Sequence, residues 1–293
     1  MNNRDASWAY FADGVIHIIC SSHNDIAWFD TPADTIAWRD EKSITPALER
    51  MGRNPDVRFS MENVLYLLEY LERHPERREE VRIRTVSGQL DWGATFNQPY
   101  ESLLTGEQLV RGIYLGRKLL KKLFPGTNPR VYYNPDVPAR TLQMPQILSK
   151  ADIPYLLISR HRPGIQWWAS PDGSRVLAWS MGHYGDTLFR ETLEGEFSHV
   201  RSNIQHILET WNDEYAHRKL PPHFAFLNSM DYIPPGDFDQ LLVDWAAYVK
   251  STGSTRDEHH PPTLRYSTPE QFFDAIAEGQ TELETIMGER PNV

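Results

Sequence analysis

Val15-Ile16-His17-Ile18-Ile19-Cys20-Ser21-Ser22-His23-Asn24-Asp25 is the stretch on which the reading of the fold turns. Its first half, from Val15 to Cys20, is β-branched and apolar almost without a break, as expected of a strand covered on both faces in a parallel sheet. The run then stops abruptly in Ser21-Ser22-His23-Asn24-Asp25. In a parallel α/β sheet the ligand site lies beyond the carboxyl ends of the strands, so these polar residues stand where chemistry is expected. His23 and Asp25 are two apart in an extended chain and face the same way. They can offer an imidazole and a carboxylate to one cation, a mixture suited to zinc. The same pair serves equally well as strand-end groups bonded to a loop, so it does not decide the function alone.

Outward from this strand the pattern repeats. Val64, Leu65, Leu67, Leu68 and Leu71 recur at helical spacing, and Arg77 to Val86 continue the helical reading until Gly88 stops it. Gln89 to Ala94 reads as a short strand. Thr105-Gly106-Glu107-Gln108 has the form of a capping box opening a helix with Leu109, Val110, Ile113, Leu119, Leu120 and Leu123 on its apolar face. Strand Arg130–Tyr133, helix Met144–Ala151, strand Tyr155–Ser159 and a hairpin turning at Ser170-Pro171-Asp172-Gly173 follow. A helix near Val200 to Tyr215, a strand His223–Asn228 and a helix Phe238–Lys250 precede a second capping box, Thr268-Pro269-Glu270-Gln271. Strands alternating with helices predict right-handed β-α-β units and a mostly parallel sheet or barrel.

Two further aspartates fall on the same rim. Asp136, in Asn134-Pro135-Asp136-Val137-Pro138, follows a strand, although the flanking prolines suit a turn as well. Asp231 follows strand His223–Asn228 and serves as a helix cap in the alternative reading. Retaining glycoside hydrolysis needs one carboxylate to attack the sugar carbon and a second carboxyl roughly 5 Å away to protonate the leaving oxygen. Asp136 and Asp231, on different strands of one rim, suit that pair, and a cation held by His23 and Asp25 suits the grip on sugar hydroxyls.

Composition sets limits. With 293 residues, 40% of them hydrophobic, the chain can bury a large core as one domain or two. The balance of 30 basic and 40 acidic residues gives a net charge of -10, and no basic cluster interleaves with aromatics, which argues against a nucleic-acid partner. The single cysteine, Cys20, sits in the apolar run and is expected to be a buried thiol. Met1 to Phe11 has no apolar region of a signal peptide and no stretch suits a membrane span, so the expectation is a soluble, cytoplasmic protein without a membrane partner. Arg256-Asp257-Glu258-His259-His260-Pro261-Pro262 reads as a solvated loop rather than a metal site. Of the nine tryptophans, Trp211 and Trp245 are expected to be packing residues.

Ser22-His23-Asn24-Asp25-Ile26-Ala27-Trp28 resembles the His-Asn-Asp-Pro-Gly-Trp signature at the first strand of family 38 α-mannosidases. Pro55-Asp56-Val57-Arg58-Phe59-Ser60, Ser87-Gly88-Gln89-Leu90-Asp91-Trp92, and Asp136 followed by Leu142-Gln143-Met144-Pro145-Gln146-Ile147-Leu148 resemble later family segments in order and spacing. The likeness is strong from Val15 to Arg160 and vague beyond. It implies a seven-stranded β/α barrel, with residues 1–13 an N-terminal extension and 14–293 a catalytic domain that is partial relative to the family. It implies a zinc-dependent retaining α-mannosidase, with His23, Asp25 and Asp136 as zinc ligands and Asp136 as nucleophile. Trp28 matches an aromatic at the floor of the sugar site, Arg160 an arginine near the sugar pocket, and Asp231 the acid region, where Ser229-Met230-Asp231-Tyr232 replaces Gly-Asp-Asp-Phe. Ile26-Ala27 replaces Pro-Gly, and Asp91-Trp92-Gly93-Ala94-Thr95-Phe96 replaces a Gly-Gly-Trp stretch, changes that bear on sugar preference.

The family draws a further histidine ligand from a continuation absent here, for which His183 is the candidate substitute; a backbone-bonded histidine is the alternative. The resemblance therefore implies a chain weakly competent alone, whose partners are a carbohydrate substrate and either the family's C-terminal region or a second copy. Two other functions fit the same residues less well: a metal-dependent polysaccharide deacetylase, which needs further histidines at a strand end, and a carbohydrate-binding fragment without turnover.

Overall fold

The computed structural model describes residues 8–182, 192–252, 260–279 and 282–288. In chain order the elements are β1 (Val15–Cys20), α1 (Pro32–Trp38), α2 (Thr45–Arg53), β2 (Phe59–Met61), α3 (Val64–Arg73), α4 (Arg78–Val86), β3 (Leu90–Trp92), α5 (Gly106–Leu123), β4 (Val131–Asn134), α6 (Met144–Lys150), β5 (Tyr155–Ile158), β6 (Gly164–Ala169), β7 (Arg175–Ser180), α7 (Phe197–His217), β8 (His223–Asn228), α8 (Asp239–Ser251), β9 (Thr263–Ser267), α9 (Pro269–Ala277) and β10 (Thr285–Met287). The mixed α/β class and the mostly parallel pairing agree with the sequence reading. Both capping boxes form, at Thr105/Gln108 and at Thr268/Gln271, where Pro269 takes the first helical position.

The single seven-stranded barrel does not appear among the described residues. The strands form three sheets, ordered β8-β1-β9, β2-β3 and β10-β6-β7-β5-β4. Two local features mark this pairing. First, β9 stops pairing with β1 at Ile19↔Ser267, and beyond that point the edge of β1 is taken by Ser60 through a bridge at Ser21. Second, the turn at Ser170–Ser174, with Gly173 at φ 85, folds β6 back antiparallel on β7, so that no crossover helix separates them. The sheets still form a continuous rim, because Ala94 N donates to Val131 O at 2.9 Å and joins the end of β3 to β4.

β1 is buried along its length after Val15, as its apolar run predicts, and Cys20 is 2% exposed, its thiol pushed up to about 12 by burial. The described part of the expected N-terminal extension packs into the same core: Trp8 lies edge-on to Trp245 with ring centroids 5.7 Å apart, and Phe11 meets Tyr215 at 4.6 Å. Trp245 is buried and Trp211 packs partly buried against Phe224. No helix among the described residues is long and apolar enough to cross a membrane. Within the expected solvated loop, residues 256–259 lie outside the described residues, and His260 pairs with Asp13 at 2.7 Å.

Candidate active site

The rim at the carboxyl ends of β1, β2, β4, β5 and β8 gathers the polar residues. Beyond β1 the chain stays extended and continues its parallel pairing past β8: His23 N donates to Met230 O and Tyr232 N donates to His23 O, both at 3.0 Å. That bridge sets Asp231 beside His23, 208 residues away in the chain. The imidazole is 1% exposed. Its Nε2 lies 3.7 Å from an Asp25 oxygen and 3.5 Å from Asp136 Oδ2. One ligand atom each from His23, Asp25 and Asp231 lies within 4.8 Å of the others. The opposite ring nitrogen, Nδ1, meets the fully buried Glu62 carboxylate at 2.9 and 3.0 Å.

Asp136 reaches the rim on a braced loop. Arg140 pairs with Glu101 at 2.9 Å and donates to Asn134 O at 2.5 Å, while Glu101 accepts from Thr141 N at 2.9 Å. Both members of this ion pair are buried, so losing one would strand the other in a poor solvent for charge. From the end of β5, Arg160 donates through Nε to Asp136 O at 2.9 Å and through Nη2 to Asp136 Oδ1. Burial works against ionisation of Asp136, but hydrogen bonds from His23 and Arg160 and their charges outweigh it and hold the carboxyl at about 2. His23 shows the reverse balance. Burial alone would lower its pKa, yet the carboxylates of Glu62, Asp136 and Asp25 raise it well above the ordinary value.

Three non-glycine residues on this rim adopt left-handed backbone: Ala139 at φ 66, Arg160 at φ 56 and Tyr232 at φ 50. Such conformations cost about 1 kcal/mol or more each and persist only where neighbours fix them. Arg160 N is fixed by Gly182 O at 2.5 Å and Tyr232 N by His23 O. Tyr232 also carries an aromatic edge of the site, with Phe29 at 5.6 Å and Trp38 at 5.0 Å between ring centroids.

One imidazole nitrogen with carboxylate oxygens beside it is a donor set that could hold a divalent cation. A model of the glycosyl hydrolases family 38 N-terminal domain matches residues 13–289. The chain belongs to this family. In structure, the family 38 domain is similar to an α-mannosidase from Enterococcus faecalis V583, with a TM-score of 0.75 at 18% identity over 94% of this chain. A second Enterococcus faecalis protein of glycosyl hydrolase family 38 gives 0.70, also at 18% identity over 94% of this chain. The chain spans only 31% and 29% of the lengths of those two proteins. A putative polysaccharide deacetylase from Mycobacterium smegmatis is similar at a TM-score of 0.56 and 11% identity, covering 96% of both chains. At these identities the likeness is one of fold. No curated protein sequence matches the chain.

In the family 38 domain His23, Asp25, Asp136 and Asp231 come together, and Arg160 joins them through Asp136. Asp231 shares the cation-sized group with His23 and Asp25, closer than an acid standing apart from the ligands. Trp28 is 75% exposed on the segment after Asp25. His183 lies outside the described residues. Glu62, Glu101 and Arg140 escaped the sequence reading. A signal for Glu62 exists, because Ser60-Met61-Glu62-Asn63 ends a strand and caps a helix, the same strand-end pattern as Ser22–Asp25.

Proposed function

We propose that this family 38 domain is the catalytic part of a zinc-dependent retaining α-mannosidase acting on mannose-containing glycans or oligosaccharides. The observation that supports it most is the convergence of the Asp25, Asp136 and Asp231 carboxylates on the buried His23 at the strand ends. His23, Asp25 and Asp136 are the residues to hold the ion, which when bound supplies positive charge for two sugar hydroxyls.

Asp136 is the nucleophile. Its carboxylate, kept ionised and aimed by Arg160, attacks the anomeric carbon as the bond to the leaving oxygen breaks, giving a glycosyl ester. Asp231 is the general acid: its proton goes to the leaving oxygen, and the resulting carboxylate then takes a proton from the water that cleaves the ester, restoring both groups. The left-handed turn at Tyr232 and the bridge to His23 fix where that carboxyl stands. Trp28, exposed beside Asp25, offers a ring face to a pyranose.

The test is release of mannose from an aryl α-mannoside by the purified chain, with acetate release from an acetylated glycan measured in parallel. Mannose release that depends on added zinc supports the proposal. Acetate release without mannose release, or saturable sugar binding without any turnover, overturns it.

A further inference from the structure

Glu62 is fully buried, and both of its carboxylate oxygens lie at hydrogen-bond distance from His23 Nδ1, at 3.0 and 2.9 Å. Its position is set by backbone that has little freedom. Gly93 N donates to Met61 O at 2.8 Å, and a Cβ at Gly93 would sit 2.0 Å from the Glu62 carbonyl oxygen. Only glycine lets β3 pass so close. On the other side Asn63 caps α3 through Tyr66 N, and Val64 N donates to Thr95 O at 3.0 Å. The carboxylate is therefore delivered to the back of the imidazole by β2, β3 and α3 together, on the side away from Asp25 and Asp136.

A buried carboxylate is costly unless it is paired, and here its partner is the ring whose other nitrogen faces the acidic group. An imidazole that ligates a cation must keep a lone pair on the ligating nitrogen, and the hydrogen bond at the other nitrogen decides which tautomer is present. We propose that Glu62 is a positioning residue of the site: it accepts the Nδ1–H of His23, and so makes Nε2, the nitrogen facing Asp25, Asp136 and Asp231, the one that yields its proton to a cation. This inference rests on the metal reading above for its consequence, but the hydrogen bond itself does not depend on that reading.

The experiment compares wild type with Glu62→Gln and Glu62→Leu, each checked for folding by circular dichroism. In metal-free protein, the imidazole proton spectrum of the wild type should show a downfield Nδ1–H of His23 protected from exchange, lost in Glu62→Leu. Zinc affinity by competition titration should fall about 10- to 100-fold in Glu62→Leu and less in Glu62→Gln, which keeps an acceptor oxygen. A folded Glu62→Leu that keeps the protected proton, or binds zinc as the wild type does, overturns the proposal. Should the leucine variant fail to fold, Glu62→Asp withdraws the carboxylate by one methylene, and an unchanged proton signal and unchanged zinc affinity there overturn it equally. If the wild type takes up no zinc, the metal reading fails by itself, and the proton signal alone decides for or against Glu62.

Discussion

Strand β1 and the extended residues just beyond it carry two buried histidines six residues apart, His17 and His23, exposed to 0% and 1%, and their environments drive them in opposite directions. His17 lies in the middle of the strand, with Ser267 Oγ at 2.8 Å from Nδ1 and His223 Nδ1 at 3.0 Å from Nε2. Burial, followed by the charges of Arg265 and His223, lowers its pKa to about 2. His23, at the strand end, faces Glu62, Asp25 and Asp136, and its pKa rises although it is as deeply buried. Burial sets the charge of His17, but where carboxylates face the ring, as at His23, they outweigh it. A neutral histidine among neutral and cationic partners is a packing group, and one ringed by carboxylates is a candidate for chemistry.

The largest effect expected on the chemical side of this contrast is that of Asp136→Asn. An amide of the same shape is neither a nucleophile nor an ionised partner for Arg160, so turnover of an aryl α-mannoside should fall on the order of a thousandfold or more while the circular dichroism spectrum stays that of the wild type. Near wild-type turnover in this variant would remove Asp136 from the mechanism. The contrast between the two histidines is sharpened by metal content. His23→Ala, like chelation with EDTA, should strip zinc and activity together, whereas His17→Gln should keep the zinc stoichiometry of the wild type by mass spectrometry. Equal zinc in wild type and His23→Ala would break the assignment.

Asp231 is the next test, because its oxygen lies in the cation-sized group while its proposed work is proton donation. If it is the acid, Asp231→Asn should lose roughly a hundredfold or more on substrates with poor leaving groups and much less on an activated dinitrophenyl glycoside, with zinc retained. A loss equal for both substrates and accompanied by loss of zinc would make Asp231 a ligand instead.

The contrast also shows what one sequence can carry. His23 and Asp25 were legible because the end of a strand is a local feature: an apolar run, a sharp polar stop and side chains two apart on one face. The strand itself, the two capping boxes and the hairpin at Ser170–Gly173 were legible for the same reason. At Glu62 the same strand-end signal is faint, since it follows a strand of only three, Phe59–Met61, and meets His23 across 39 residues. Strand β9 was not legible: its Thr263-Leu264-Arg265-Tyr266-Ser267 alternates too weakly to stand out but pairs with β1 over its whole length. Helices α1 and α2 were missed as well, because prolines at Pro32 and Pro46 begin them and look like breaks. Nor was the pairing of the strands into three sheets legible, since where β9 ends beside β1 and Ser60 takes its place is recorded in no local pattern.

The smallest effect lies on the structural side of the pair and concerns stability against pH. His17 has an ordinary value of 6.5 in the unfolded chain and about 2 in the folded one, so between those limits the unfolded state binds the extra proton. Stability from this residue is complete above pH 6.5 and declines as the pH falls toward 2. The slope is at most about 1.4 kcal/mol per pH unit, and it is shared with every other group that titrates in the range. The groups facing His17 sharpen the expectation: His223, itself pushed down by burial, Arg265, and the neutral Ser267 and Phe272. None of these is an acid that would steady an imidazolium. Denaturant titrations of wild type and His17→Gln at pH 7.5 and at pH 5 separate this contribution from the rest, because the shared groups cancel in the difference. The variant should be the less stable of the two at pH 7.5, having lost the bonds to Ser267 and His223, and the gap should narrow by about 1 to 2 kcal/mol at pH 5. A gap of the same size at both values would mean that His17 takes up its proton in the folded protein, and that His17 and His23 are not opposites.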